Sequence, residues 1–115
     1  MIAGAMKALR EMQMAALAHP VVYFHRGAEG MAINAVIGRT TFRLADDYGR
    51  AMRLVTRDFI VSAAELAAEP EPGDIVNEDG REYEVLSPGG EPCWRWSDPQ
   101  RTARRIHTKQ IGGES

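Results

Sequence analysis

The segment PGDIVNEDGREYEVLSPGG, residues 72–90, decides the fold, because it places two short strands around a tight turn. Asp79 and Gly80 are the residue types that a two-residue hairpin turn prefers. After the turn, Tyr83 and Val85 alternate with glutamates, so one strand face is apolar and the other acidic. The sequence therefore predicts a β-hairpin here, followed by a second, glycine-rich turn.

Short strands are predicted on both sides of this hairpin, because β-branched and aromatic residues alternate with polar ones between turn signals. The apolar positions change parity in the longest of these strands, and a bulge near residues 55–56 would reconcile them. The predicted strands cover residues 21–26, 31–37, 40–44, 50–61, 75–76, 82–86, 94–96 and 104–111.

Two helices complete the predicted elements. Residues 2–18 combine strong helix formers with apolar residues at three- and four-residue steps, and Pro20 ends that pattern. Ser62 and Glu65 have the spacing of a capping box, which predicts a short helix near residues 62–68. The expected fold is mainly β: a small β-barrel or β-sandwich with one N-terminal α-helix. The expected division is an N-terminal helix over 1–19, a β-domain over 20–111 and a frayed tail over 112–115.

Composition excludes several classes of protein. A chain of 115 residues has the length of one domain, and its formal net charge of -2 argues against wholesale electrostatic binding to nucleic acid. Cys93 is the only cysteine, which excludes an intrachain disulfide and a multi-cysteine metal site. No stretch approaches the roughly 20 apolar residues that cross a bilayer, so no membrane partner is expected.

Catalytic groupings are equally scarce. The three histidines show no metal-ligand spacing, and no phosphate-binding loop or nucleophile motif occurs. The alternative is an enzyme in which Cys93 is the nucleophile and His107 is its base, but a buried cysteine is usually inert packing. We predict no catalytic, metal-binding or cofactor-binding residue, no cofactor and no small-molecule substrate.

Charge is segregated along the chain. Residues 65–91 hold nine acidic residues against one basic residue, residues 95–109 hold five basic residues against one acidic residue, and twelve of the fourteen basic residues are arginine. Arginine forms bidentate ion pairs and stacks on aromatic rings, which suits it to interfaces, and opposite patches allow head-to-tail association. The alternative is that these charges only solvate strand faces. The candidate subunit-interface residues are Arg53, Arg57, Trp94, Arg95, Arg104 and Arg105.

Residues 50–111 also show a family resemblance. Four segments follow one another there: Pro-Gly-Asp-Ile-Val, Asp79-Gly80-Arg81-Glu82-Tyr83-Glu84-Val85, Trp96-Ser97-Asp98-Pro99 and Thr108-Lys109-Gln110-Ile111. This succession resembles the small lambda-type head–tail joining and stopper proteins of tailed bacteriophages and prophages.

This resemblance implies a structural virion protein without catalytic residues. Its members form a ring at the neck, between the portal (connector) and the tail, and DNA passes through the channel only in transit. It further implies assembly in the host cytoplasm. The alternative is a small OB-like or SH3-like module that binds nucleic acid through Arg104, Arg105 and Trp94.

Overall fold

The computed structural model describes residues 17–113, and it confirms a mainly β protein. Seven antiparallel strands form one sheet, and a 3-10 turn lies at Pro88–Gly90. The predicted helix over 1–19 lies outside the described residues except for its last positions, where the first strand already begins. The strands are β1 (His19–Phe24), β2 (Met31–Ala45), β3 (Ala51–Ser62), β4 (Ile75–Glu78), β5 (Arg81–Val85), β6 (Trp94–Trp96) and β7 (Ala103–Gly112).

The strand pairings run in a continuous circuit. β1 pairs with β2 and β4, β2 with β3, β3 with β7, β7 with β5, and β5 with β4. The short β6 adds to β7 beside β5. Every pairing is antiparallel, as expected where tight turns connect successive strands.

The core lies on the face that the apolar positions of all these strands share. Phe59 of β3 and Tyr83 of β5 meet there edge to face, with ring centroids 5.3 Å apart. Tyr83 and Val85 are buried, whereas the flanking Glu82 is exposed, so the predicted alternation in the hairpin is confirmed. The residues that line the core are Val21, Tyr23, Ile33, Ala35, Phe59, Val61, Leu66, Val76, Tyr83, Val85, Cys93 and Ile106.

The β2–β3 hairpin differs from the prediction in two ways. Residues 31–37 and 40–44 belong to one continuous strand, because Gly38 leaves room for the Arg105 side chain rather than ending the strand. A Cβ at Gly38 would lie 2.9 Å from Nη1 of Arg105. The predicted bulge near residues 55–56 is also wrong: β2 and β3 pair without a shift from Ala35↔Val61 to Ala45↔Ala51. The register shift lies instead in β5, between Glu82 and Tyr83.

The predicted short helix near residues 62–68 is a single turn. The amides of Glu65 and Leu66 donate to the carbonyl of Ser62, and the Ser62 hydroxyl accepts from the Ala64 amide. The Glu65 carboxylate does not complete a capping box, because it accepts hydrogen bonds from Asn34 of β2. The chain therefore leaves β3 and turns, with Leu66 buried in the core.

Candidate interaction surfaces

The far end of the β2–β3 hairpin forms a two-stranded arginine ribbon, which we define as residues 39–45 and 51–57. Direct cross-strand pairs place Arg43 opposite Arg53 and Arg39 opposite Arg57. Side chains of directly opposed residues lie on the same face of a sheet. The odd-numbered positions therefore form one cationic face, and Arg39, Arg43 and Arg53 on it are exposed.

Packing against the rest of the sheet fixes which way this ribbon faces. On its even-numbered face, Phe42 contacts the His107 ring edge to face at 5.0 Å. Leu44 lies so close to Gly89 that a Cβ there would be 2.3 Å from Cδ2 of Leu44. The even face thus packs on β7 and the Pro88–Gly90 turn. The odd face continues the core side of β3 beyond Phe59, and there Arg39, Arg43 and Arg53 are exposed.

Arg57 marks the end of the ribbon next to the core, and its charge is balanced within the chain. Its Nη2 donates to Oε1 of the buried Glu78 at 2.6 Å, and its guanidinium lies over the Tyr83 ring at 5.1 Å. His19 contacts the other carboxylate oxygen of Glu78 at 2.5 Å. Burial alone would raise the pKa of Glu78, but the hydrogen bonds from Arg57 and His19 lower it. This cluster joins β1, β3 and β4.

A second buried carboxylate, Asp58, sits on the opposite face of β3 and has no exposed surface. Nδ1 of His107 lies 2.9 Å from one of its oxygens, and Nη1 of Arg105 donates to the other at 2.8 Å. The hydroxyls of Thr40 and Thr56 also donate to it. Burial would raise the pKa of Asp58, but these hydrogen bonds lower it to about 2. Arg105 therefore ties β2, β3 and β7 together.

Trp94, Trp96 and Arg104 form a third cluster at β6 and the facing part of β7. The two indoles meet edge to face with centroids 5.0 Å apart, which confirms that they share one side of the strand. The Arg104 guanidinium lies 4.9 Å from the Trp94 ring and 5.2 Å from the Trp96 ring. Its Nη1 also donates to the Leu66 carbonyl at 2.8 Å. The stacking faces of both tryptophans are thus engaged by neighbours in the same chain.

The six predicted interface residues lie in three parts of the structure: the arginine ribbon, the surroundings of Asp58, and the cluster at β6 and β7. Arg57, Arg104 and Arg105 make contacts inside the chain, with the two tryptophans around Arg104. Arg53 and Arg95 are exposed. A role at a subunit interface stays a prediction for all six: Arg53, Arg57, Trp94, Arg95, Arg104 and Arg105.

Sequence reasoning missed Arg39 and Arg43 as surface candidates. Their spacing of four residues within an alternating strand already places them on one face. Only the hairpin register shows that Arg53 faces Arg43, because that pairing depends on where the turn at residues 46–50 falls.

The other end of β2, at the β1–β2 turn, is acidic. Buried Asp74 accepts hydrogen bonds from the Tyr23 hydroxyl at 2.6 Å and from the Arg26 amide at 3.0 Å, and Nδ1 of His25 lies 2.8 Å from it. Burial would raise the pKa of Asp74, yet these bonds lower it. Glu71 pairs with the Arg26 guanidinium. A shallow depression of about 440 Å³ opens beside them, lined by His25, Arg26, Ala68, Glu69, Pro70 and Glu71.

The Cys93–His107 pair is not arranged as a nucleophile and its base. The Cys93 thiol donates to the Pro70 carbonyl at 3.4 Å, whereas the His107 ring is hydrogen-bonded to Asp58. Burial raises the pKa of Cys93, which disfavours the reactive thiolate. Among residues 17–113, no group of three or more His, Cys, Asp or Glu side chains is placed to hold a metal ion.

The comparisons with known proteins assign this sheet to a family. No helix in the described part of the chain is long and apolar enough to cross a membrane. No curated protein matches the sequence. A family model described as phage head-tail joining protein matches residues 1–115, the whole sequence, and the observed strand succession agrees with the resemblance. The chain belongs to the phage head-tail joining protein family and is a structural component of the virion neck.

Proposed function

We propose that copies of this chain assemble as a ring between the portal and the tail, and that DNA passes through the channel without being bound. The exposed arginine face of the ribbon is the observation that supports this proposal. Three exposed arginines, none of which has an ion-pair partner among residues 17–113, lie on one face of a two-stranded element, a surface suited to contact rather than to chemistry. Assembly takes place in the host cytoplasm, before the neck joins the virion.

A closed β-barrel is the architecture that we propose for each subunit. The continuous pairing circuit through β1, β2, β3, β7, β5 and β4 supports it, because an open sheet has two unpaired edges and a circuit has none. Closure suits a ring subunit, since free edges invite pairing with the wrong chain.

We infer that the protein works without catalysis. Two buried carboxylates lie in hydrogen-bonded clusters: Asp58 with Arg105 and His107, and Glu78 with Arg57. Each carboxylate has a lowered pKa, the opposite of what a general acid at neutral pH needs. These clusters instead cross-link strands, which suits a structural subunit.

The OB-like or SH3-like nucleic-acid-binding alternative has weaker support. Stacking platforms for single strands present open aromatic faces. Trp94 and Trp96 instead contact each other and Arg104. This alternative predicts DNA affinity that falls steeply with salt, so a flat salt response excludes it.

The test of the ring proposal is to mix the purified protein with the portal and the tail-completion proteins of its own phage. We expect negative-stain images to show ring-shaped density on the portal, and native mass spectrometry to give an integral number of copies per portal. Portal alone is the control. Absence of any ring or co-complex with either partner overturns the proposal.

A further inference from the structure

The arginine ribbon carries a repulsion that nothing else in the described chain relieves. Arg43 and Arg53 are directly opposite each other, so their Cβ atoms are about 5 Å apart. Like charges in that position destabilise a β-ladder. Among residues 17–113, no carboxylate lies within ion-pair distance of Arg39, Arg43 or Arg53. Such a face is stabilised once an anionic surface covers it.

The composition of the ribbon favours a protein as that surface. Exposed apolar and aromatic side chains lie beside the arginines: Val55 on the same face is 55% exposed, and Tyr48 at the hairpin turn is 84% exposed. The ribbon contains no lysine. Protein–protein interfaces are enriched in arginine, tyrosine and methionine and depleted in lysine, whereas phosphate contacts use lysine and arginine alike.

The same chain offers a complementary surface, its acidic end, which we define as Glu29, Glu65, Glu69 and Glu71. Within the described residues, Glu71 is the only one of the four with an arginine partner, Arg26, and Glu65 bonds to the neutral Asn34. The four carboxylates and the one arginine leave a net charge of -3 on this end. Glu69 and Glu71 line the shallow depression of about 440 Å³.

Geometry separates the two surfaces within one molecule. β2 has 15 residues, about 50 Å of extended chain, and the molecule measures 51 Å along its longest axis. β2 begins at Met31, which pairs with Tyr23 beside the acidic end, and it finishes in the ribbon. The arginine ribbon of one molecule therefore does not reach the acidic end of the same molecule, but it can reach the acidic end of another copy.

We propose that the arginine ribbon of one copy binds the acidic end of the next, with Arg43 and Arg53 facing Glu69 and Glu29. Contacts between two different surfaces of identical subunits run head to tail, and they close into a ring when the rotation between copies allows it. This inference rests on the proposed ring and identifies the contact that builds it.

A charge-swap experiment tests this contact. The ribbon variant carries Arg43→Glu and Arg53→Glu, and the acidic-end variant carries Glu29→Arg and Glu69→Arg; all four residues are exposed. Each variant alone opposes like charges, so we expect its self-association on the portal to fall about tenfold or more. Mixed together, the two variants restore opposite charges at every contact, so we expect co-association with alternating subunits, detected by affinity capture through a tag on one variant.

Two controls make the result decisive. Arg43→Lys with Arg53→Lys keeps the charge, and Lys109→Glu reverses a charge away from the ribbon; we expect both to assemble. Rescue in the mixture also shows that both variants are folded.

The outcomes separate this inference from the ring proposal. Wild-type rings together with normal assembly of both charge-reversed variants overturn the ribbon contact and leave the ring. Wild-type rings together with variants that fail alone and in the mixture also overturn it. Loss of DNA affinity in the ribbon variant without loss of assembly assigns the ribbon to DNA instead. Failure of the wild type to form any ring counts against the ring itself.

Discussion

Asp58→Asn tests the idea that buried ion clusters hold the sheet together. The aspartate is fully buried and receives hydrogen bonds from Thr40, Thr56 and Arg105, with His107 beside it. A carboxyl group whose pKa falls from 3.8 to about 2 on folding stabilises the native state by roughly 2–3 kcal/mol at neutral pH. Asparagine keeps the shape but turns an amide N–H₂ toward groups that are themselves donors.

The sign of the pH dependence follows from the lowered pKa. The unfolded chain takes up the proton first as the pH falls, so the stabilisation is complete above about pH 5 and declines as the pH drops towards 2. We expect Asp58→Asn to cost roughly 2–3 kcal/mol at pH 7, equivalent to roughly 10 °C in Tm for a chain of this length. At pH 3 the difference from wild type shrinks to about half.

Urea unfolding followed by the fluorescence of Trp94 and Trp96 measures both values. Asp47→Asn is the matched control, because Asp47 is exposed in the turn of the β2–β3 hairpin and its replacement is expected to change stability by less than about 0.5 kcal/mol. A loss below about 0.5 kcal/mol for Asp58→Asn, or the same loss at pH 3 and pH 7, refutes the reasoning.

Three further changes probe single contacts. Tyr23→Phe removes the hydroxyl that donates to Asp74, and we expect thermal denaturation to show a loss of roughly 1–2 kcal/mol; an unchanged Tm contradicts this. Gly89→Ala adds a Cβ against Leu44 at a position with φ of 57°, and a cost of roughly 1–3 kcal/mol is expected in urea unfolding, whereas a neutral result rules out the close packing. The Cys93 thiol should react slowly with a thiol reagent in the native state and rapidly in urea, and equal rates refute its burial.

The β4–β5 hairpin could be predicted from the sequence because its turn and its alternation depend only on neighbouring residues. Asp79 and Gly80 both adopt positive φ in the turn, 52° and 82°, which is the conformation that a two-residue hairpin turn requires. The alternation that buries Tyr83 and Val85 needs no information from elsewhere in the chain. The shared face of Trp94 and Trp96 was predictable for the same reason.

Contacts between distant segments explain what sequence reasoning missed. The sequence predicted separate strands over 31–37 and 40–44, but Gly38 between them lies within β2, and its missing side chain makes room for Arg105, which is 67 positions further along the chain. Asp58, Asp74 and Glu78 are indistinguishable in sequence from solvated charges, because the partners that neutralise them lie on other strands. Long-range pairing of this kind depends on register, which the residue pattern did not fix in β3.

The distribution of charge argues that association, rather than stability of the single subunit, explains the arginine ribbon. Where this chain buries a charge, it supplies a partner: Glu78 has Arg57, and Asp58 has Arg105. Arg43 and Arg53, in contrast, have no carboxylate partner among residues 17–113 and lie directly opposite each other on an exposed face. That arrangement costs the isolated subunit stability, and since no carboxylate among residues 17–113 pairs with either arginine, an anionic surface from another molecule would relieve it. The free subunit therefore retains the electrostatic free energy that a neighbouring acidic end releases on binding, so ring formation should weaken as salt screens the contact.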